Sequence, residues 1–259
     1  MSHATRMPAM FIGHGSPMNA LEDNRYTRAW EEQARKLPAP RAILMVSAHW
    51  MTPGEVAVTA MDAPETIHDF GGFPQALFDI RYPAPGSPAL AQRIAQVLSP
   101  LAVRQDLEWG LDHGTWSVLV KMYPEAQIPV LQLSLDLRQP ADWHFELGRR
   151  LSVLRDEGVM LMASGNVVHN LRQLRSHAAG WDWAVRFNEQ IRNAVLNGDR
   201  AAVTDYLRFG QDALLSVPTN EHYLPLLYIL GSQGADEPVQ IITDGIDLGA
   251  ISMLSVLVG

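Results

Sequence analysis

Short apolar runs of strand length alternate with amphipathic segments of helical period along the whole chain, and few architectures accept that alternation. Residues 7–12, 42–46, 128–135 and 159–163 read as strands, and 55–59 alternates as a strand should. Between them, 23–36, 89–98, 114–122, 142–155 and 182–196 read as helices. The first stops before Pro38, whose ring would clash with a continuing helix. Further helices are expected over 200–209 and from His222 to Leu230, and 239–258 closes the chain as a strand pair. The pattern predicts an α/β fold with a mixed central β-sheet covered by helices on both faces. A single domain over 1–259 is expected, because no repeat, low-complexity tract or long linker marks a boundary. The 61–88 segment is too long for an ordinary connection, since loops beyond about 12–15 residues tend to be functional or disordered. It is rich in rings (His68, Phe70, Phe73, Phe78, Tyr82), and we expect it to cover a pocket.

Histidines sit where such a sheet would gather them. In an open α/β sheet the loops leaving the carboxyl ends of neighbouring strands converge on one crevice. Gly13-His14-Gly15-Ser16-Pro17, Ser47-Ala48-His49-Trp50 and Gly165-Asn166-Val167-Val168-His169-Asn170 all follow or end strand-like runs. Asn220-Glu221-His222-Tyr223 opens a helix and offers either a nitrogen or a carboxylate. Imidazole is the commonest metal ligand near neutral pH, so the set points to a metal centre. A lone histidine is more often structural; position at strand ends is what singles out His14, His49 and His169. Asp112-His113-Gly114 adds a fifth candidate, although Asp112 reads equally well as a helix cap. Taken on its residues alone, the segment from His68 to Pro74 is a well-packed loop. His3, His144 and His177 are expected to be solvated, in a terminus or on helix surfaces.

Composition narrows the chemistry. The chain has no cysteine, so any metal must rest on nitrogen and oxygen ligands, and a reducing cytoplasm fits. A net charge of −8 leaves no electrostatic footprint for nucleic acid. No signal peptide is evident, and no apolar stretch reaches the roughly 20 residues that span a bilayer, so a cytoplasmic location without membrane contact is expected. Neither a Gly-x-Ser-x-Gly elbow, a phosphate-cradling loop nor a dinucleotide fingerprint is present.

Taken together and in order, Gly13–Met18, Val46–Trp50, Thr66–Pro74, Asp112–Gly114, Ala163–Asn170 and Glu221–Leu227 resemble the class III extradiol ring-cleavage dioxygenases, in the branch of 4,5-DOPA extradiol dioxygenases. The resemblance runs from about Met7 to the C-terminus. It implies a small catechol such as DOPA held at a single divalent metal and cleaved beside the diol with O2. Fe(II) is the metal expected for activity, and Zn(II) the one expected in purified protein. By motif, His14, His49 and His222 would be ligands. His169 would be the acid–base residue, close enough to serve as a fourth ligand. His113 would contact substrate or oxygen, and His68 and Phe70 would line the entrance. The wider superfamily often pairs two histidines with a carboxylate; here the third position is His222, with Glu221 adjacent. An all-histidine site also suits zinc, which keeps open a zinc-dependent hydrolase or a non-enzymatic, Memo-like metal-binding protein. A monomer or small homo-oligomer is expected.

Overall fold

The apolar runs lie side by side because each must bury both of its faces. The computed structural model describes residues 6–176 and 179–259. Its strands are β1 (Ala9–Gly13), β2 (Ala42–Met51), β3 (Val56–Thr59), β4 (Val103–Asp106), β5 (Val130–Leu135), β6 (Val159–Gly165), β7 (Val239–Thr243), β8 (Ile246–Asp247), β9 (Ile251–Ser252) and β10 (Ser255–Val258). Eight of them form one sheet in the order β4-β3-β5-β2-β6-β1-β10-β7, and β8 pairs with β9 apart from it. β5, β2, β6 and β1 are mutually parallel neighbours, whereas β10 joins β1 antiparallel. Phe11, Leu44, Leu133 and Leu161 pack on one face against the helices Ala141–Leu151, Asp182–Leu196 and Leu224–Gly231. Ile12, Ile43, Met45 and Met162 pack on the other, beneath Arg25–Lys36 and His113–Met122. The mixed sheet with helices on both faces is therefore as the sequence predicts.

Several elements depart from the sequence expectation. β2 runs past the predicted apolar stretch to Met51, with its register against β5 shifting between Val46 and Met51, so His49 lies inside a strand. β4 is polar (Val-Arg-Gln-Asp) and pairs only with β3 at the sheet edge, which leaves it without an apolar signal. The 142–155 helix breaks at Ser152 into Ala141–Leu151 and Val153–Asp156. Gln211–Ser216 forms a further short helix where none was predicted. Among the described residues no helix is long and apolar enough to cross a membrane.

His144 corrects the expectation of a solvated side chain. Helix Ala141–Leu151 lies so close to Leu224–Gly231 that a Cβ on Gly148 would stand 2.2 Å from the Tyr228 carbonyl oxygen. One turn earlier, His144 is fully buried, with Nδ1 3.0 Å from the Tyr228 hydroxyl. His3 and His177 lie outside the described residues. Burial lowers the His144 pKa from 6.5 to about 4. Between those values the unfolded chain takes up a proton that the folded protein refuses, so stability falls as pH drops through that window and levels off below it. The loss is up to about 3 kcal/mol. His144→Gln is expected to flatten that part of the pH–stability curve, which urea unfolding between pH 4 and 7 would register as a smaller slope than the parent's.

Candidate metal centre

β1, β6 and β2 are adjacent and parallel, so their carboxyl ends share one edge of the sheet. His14 is the residue after β1, His49 lies near the end of β2, and His169 follows β6 in a loop. His222 reaches the same edge from the turn before Leu224–Gly231. That turn docks directly on β6: the Asn166 N–H donates to the His222 carbonyl at 2.8 Å. A Cβ on Gly165 would meet the same oxygen at 2.2 Å, so only glycine ends this strand without displacing His222. His113 opens the helix His113–Met122, capped by Asp112, whose carboxylate accepts from the Thr115 N–H. The Ser47 hydroxyl and the Gln132 amide each donate to Asp112 at 2.7 Å, tying this cap to β2 and β5. Burial, and then the charge of Asp69, push the Asp112 carboxyl above the usual range.

The imidazoles of His14, His49, His113, His169 and His222 line one cavity of about 700 Å³. Asp69, Phe70 and Phe73 of the 61–88 loop line it as well, as the length of that loop predicts. His68 does not. Its ring packs behind Phe70 and against Trp116, and its Nε2 is 3.1 Å from the Ile80 carbonyl oxygen. The ligand atoms of His14, His49 and His113 form one compact group, and those of His169, Glu221 and His222 a second.

Ring spacing tests which side chains can share an ion. An imidazole bound at 2.0–2.1 Å puts its centroid about 3.2 Å from the metal. Two such centroids are then about 4.5 Å apart at a right angle and about 5.2 Å apart at the tetrahedral angle. His14–His49, His14–His222 and His49–His222 measure 5.1, 5.5 and 4.9 Å. His49–His113 is closer, at 3.8 Å, and His169 stacks on His222 at 3.4 Å with the ring planes 5° apart. Lone pairs lie in the ring plane, so parallel stacked rings do not aim at a common point.

Hydrogen bonds determine which nitrogens are bare. His222 Nδ1 is 3.1 Å from Glu221 Oε1, and a carboxylate only accepts, so the proton is on Nδ1. His222 Nε2 is buried with no partner. His14 Nδ1 is 2.8 Å from the Ser164 hydroxyl, while its Nε2 stands 3.3 Å from His49 Nε2. Burial is the largest cause lowering all four shifted pKa values, with nearby imidazoles reinforcing it. His14 and His222 fall well below 6.5, His49 to about 3 and His169 to about 4. These rings are neutral at pH 7 and present lone pairs.

Glu221, which the sequence left open as an alternative ligand to His222, lines the cavity beside that ring, and so does Asp69, to which sequence reading gave no role. Asp69 Oδ1 accepts the His113 backbone N–H at 2.8 Å, and Oδ2 lies 2.9 Å from His113 Nδ1 and 3.7 Å from His49 Nδ1. The Nδ1 contact is close but off the line of a good hydrogen bond. Burial works against the Asp69 charge, but the contacts with His113 outweigh it and hold the carboxyl below the usual range. The only local signal was its place beside His68 and Phe70.

Neutral imidazoles gathered at the carboxyl edge of a mainly parallel sheet, with no thiolate in reach, define a nitrogen-ligated, metal-dependent enzyme of α/β fold. A family model described as the catalytic LigB subunit of aromatic ring-opening dioxygenase matches residues 1–259, and the chain belongs to that family. It is 57% identical over 262 residues to 4,5-DOPA dioxygenase extradiol of Escherichia coli K12, covering 99% of this chain and 96% of that one. A protein of the same name from Beta vulgaris is 37% identical over 250 residues, covering 93% and 92%. A crystal structure of an uncharacterized protein from Escherichia coli K12 superposes with a TM-score of 0.86 at 50% identity, covering 98% of this chain and all of that one. The chain is a ring-opening extradiol dioxygenase, and the hydrolase and Memo-like alternatives give way to that.

Proposed function

We propose that residues 1–259 act as one catalytic domain that opens the ring of a small catechol, such as DOPA, at Fe(II) held by His14, His49 and His222. The ring spacing carries this reading: three neutral imidazoles separated by 5.1, 5.5 and 4.9 Å fit one ion. Glu221 then orients His222 through Nδ1 and is not itself the third ligand. When bound, a redox-active divalent metal supplies Lewis acidity toward the diol and one-electron chemistry toward O2, the second of which zinc lacks.

The remaining side chains handle the substrate and its proton. His169, neutral at pH 7 and stacked on His222 outside the plane of that ring, takes up the proton that the catechol hydroxyl loses. His113 faces the cavity with Nδ1 turned to Asp69, which leaves Nε2 for substrate or oxygen. Phe70 lines the cavity edge-on to His113, its ring centroid 5.5 Å away, and His68 supports Phe70 from behind. Asp69→Asn keeps the volume but removes the charge facing His113. Turnover should fall about 10–100-fold with the bound metal retained, as expected for an outer-shell partner. Kinetics and metal analysis of the same sample check both halves.

The test of the reaction is anaerobic loading of metal-free protein with Fe(II) or Zn(II), then DOPA in air. O2 uptake and a yellow semialdehyde with iron, and neither with zinc, are the expected results. Uptake with neither metal, on protein of confirmed metal content, would overturn the proposal.

A further inference from the structure

One turn in the cavity wall is built against the preference of its own backbone. Among the described residues, Leu248 and Ala126 are the non-glycine residues with positive φ, and of the two only Leu248, at φ 48°, lines the cavity. A Cβ makes that left-handed conformation costly, whereas glycine adopts it freely. Gly245 and Gly249 of the same β8–β9 hairpin also have positive φ (129° and 78°), yet position 248 carries leucine. The turn is pinned from both directions. The Leu248 N–H donates to Asp247 Oδ1 at 2.9 Å, and the Leu248 carbonyl accepts the Arg175 N–H at 2.8 Å. The carbonyls of Gly249 and Ala250 accept the N–H groups of Trp181 and Asn170 at 2.9 and 3.1 Å. Glycine at 248 would supply the same backbone atoms, so these bonds do not account for the leucine. Strain kept at a residue that faces a site points to its side chain.

The hairpin also sets how deep that side chain lies. Its inner end carries Ile251, which is bridged to His169. Outward from there, Ala250 meets Asn170 and Leu248 meets Arg175. Leu171 and Leu174, between those two partners, line the cavity at 61% and 43% exposed. Leu248 is half-buried, between the acid–base histidine and this open rim. A catechol whose diol sits at His14, His49 and His222 would send its ring substituent out at that level.

Resting on the catechol reading above, we propose that Leu248 is a specificity-determining residue: its side chain packs on the carbon substituent of the ring and favours substituted over bare catechol. Covering the two carbons of an ethyl group is worth about tenfold in affinity. Calorimetry on zinc-loaded protein compares ethylcatechol with catechol, so that binding is read without turnover. Leu248→Gly keeps every backbone bond of the turn and relieves the strained φ, and the parent's preference for ethylcatechol should fall about tenfold in it. Leu248→Ala should lose the same preference. Leu248→Met, which restores a long aliphatic reach, should recover it to within about threefold. The urea midpoint of Leu248→Gly should be no lower than that of Leu248→Ala, because only alanine retains the strain. On iron-loaded protein with DOPA, the loss in Leu248→Gly should appear in KM more than in kcat. No preference for ethylcatechol in the parent, an unchanged preference in folded Leu248→Gly or Leu248→Ala, or equal weakening of both ligands would overturn the proposal while leaving ring cleavage intact. Failure of the parent to bind either catechol would overturn the catechol reading and this proposal with it.

Discussion

His14→Ala, His49→Ala and His222→Ala are each expected to leave the protein without stoichiometric metal after dialysis, whereas His169→Ala retains the metal and loses about 100- to 10,000-fold in turnover. The two outcomes separate because the rings occupy different positions. The first three have the mutual spacing of ligands to one ion, and His222 Nε2 has no other partner. His169 lies parallel to His222 at 3.4 Å, so the in-plane lone pairs of the two rings run side by side and do not converge. Removing His169 takes away a proton acceptor and leaves three ligands in place. Metal analysis together with O2 uptake distinguishes the roles. His113→Ala is the control for the alternative compact group of His14, His49 and His113: if that variant lost its metal while His222→Ala kept it, the ligand set would have to be redrawn. Normal turnover by His169→Ala would exclude it as the acid–base residue.

The strand ends were legible because two simple signals coincided. Strands buried on both faces read as unbroken apolar runs, and a parallel sheet sends the residues that follow those runs to one edge. His14 and His49 could therefore be placed together from the sequence, and the structure puts their Nε2 atoms 3.3 Å apart. What stayed hidden depends on contacts between distant segments. Asp69 and His113 are separated by 44 positions, and only the folded 61–88 loop brings the carboxylate to the backbone of that helix. His144 carries no apolar signature, and the close approach of two helices at Gly148 is what buries it. Edge strand β4 was invisible because its exposed, polar residues lack the periodicity that burial imposes. His68 and Phe70 looked alike in the sequence; the packing around Trp116 directs one ring behind the other.

Glu237→Ala is expected to destabilise the protein by about 3–5 kcal/mol without changing its metal stoichiometry, because it leaves a buried guanidinium uncompensated. Arg155 is wholly buried and donates to the carbonyls of Met7, Ser232 and Val258 and to both Glu237 oxygens, at 2.6 and 2.8 Å. These partners join the start of β1, the end of helix Leu224–Gly231 and the end of β10, at the edge of the sheet opposite the histidines. Arginine stays protonated in proteins, so the variant cannot relieve the charge by losing a proton. Exposed pairs contribute far less: Arg28 and Asp23, 67% and 71% exposed, are screened by solvent on both sides. Burial raises the Glu237 pKa, but Arg155 outweighs it and holds the carboxyl below its ordinary value. A depressed carboxylate contributes stability above its unfolded pKa of about 4.3 and loses it as pH falls through the folded value. The destabilisation by Glu237→Ala should accordingly be full at pH 7 and shrink in acid. Urea midpoints for Glu237→Ala and Asp23→Ala at pH 7 and pH 3.5 would check size and sign together. Equal shifts for the two variants at pH 7 would mean that the buried pair contributes no more than a surface one.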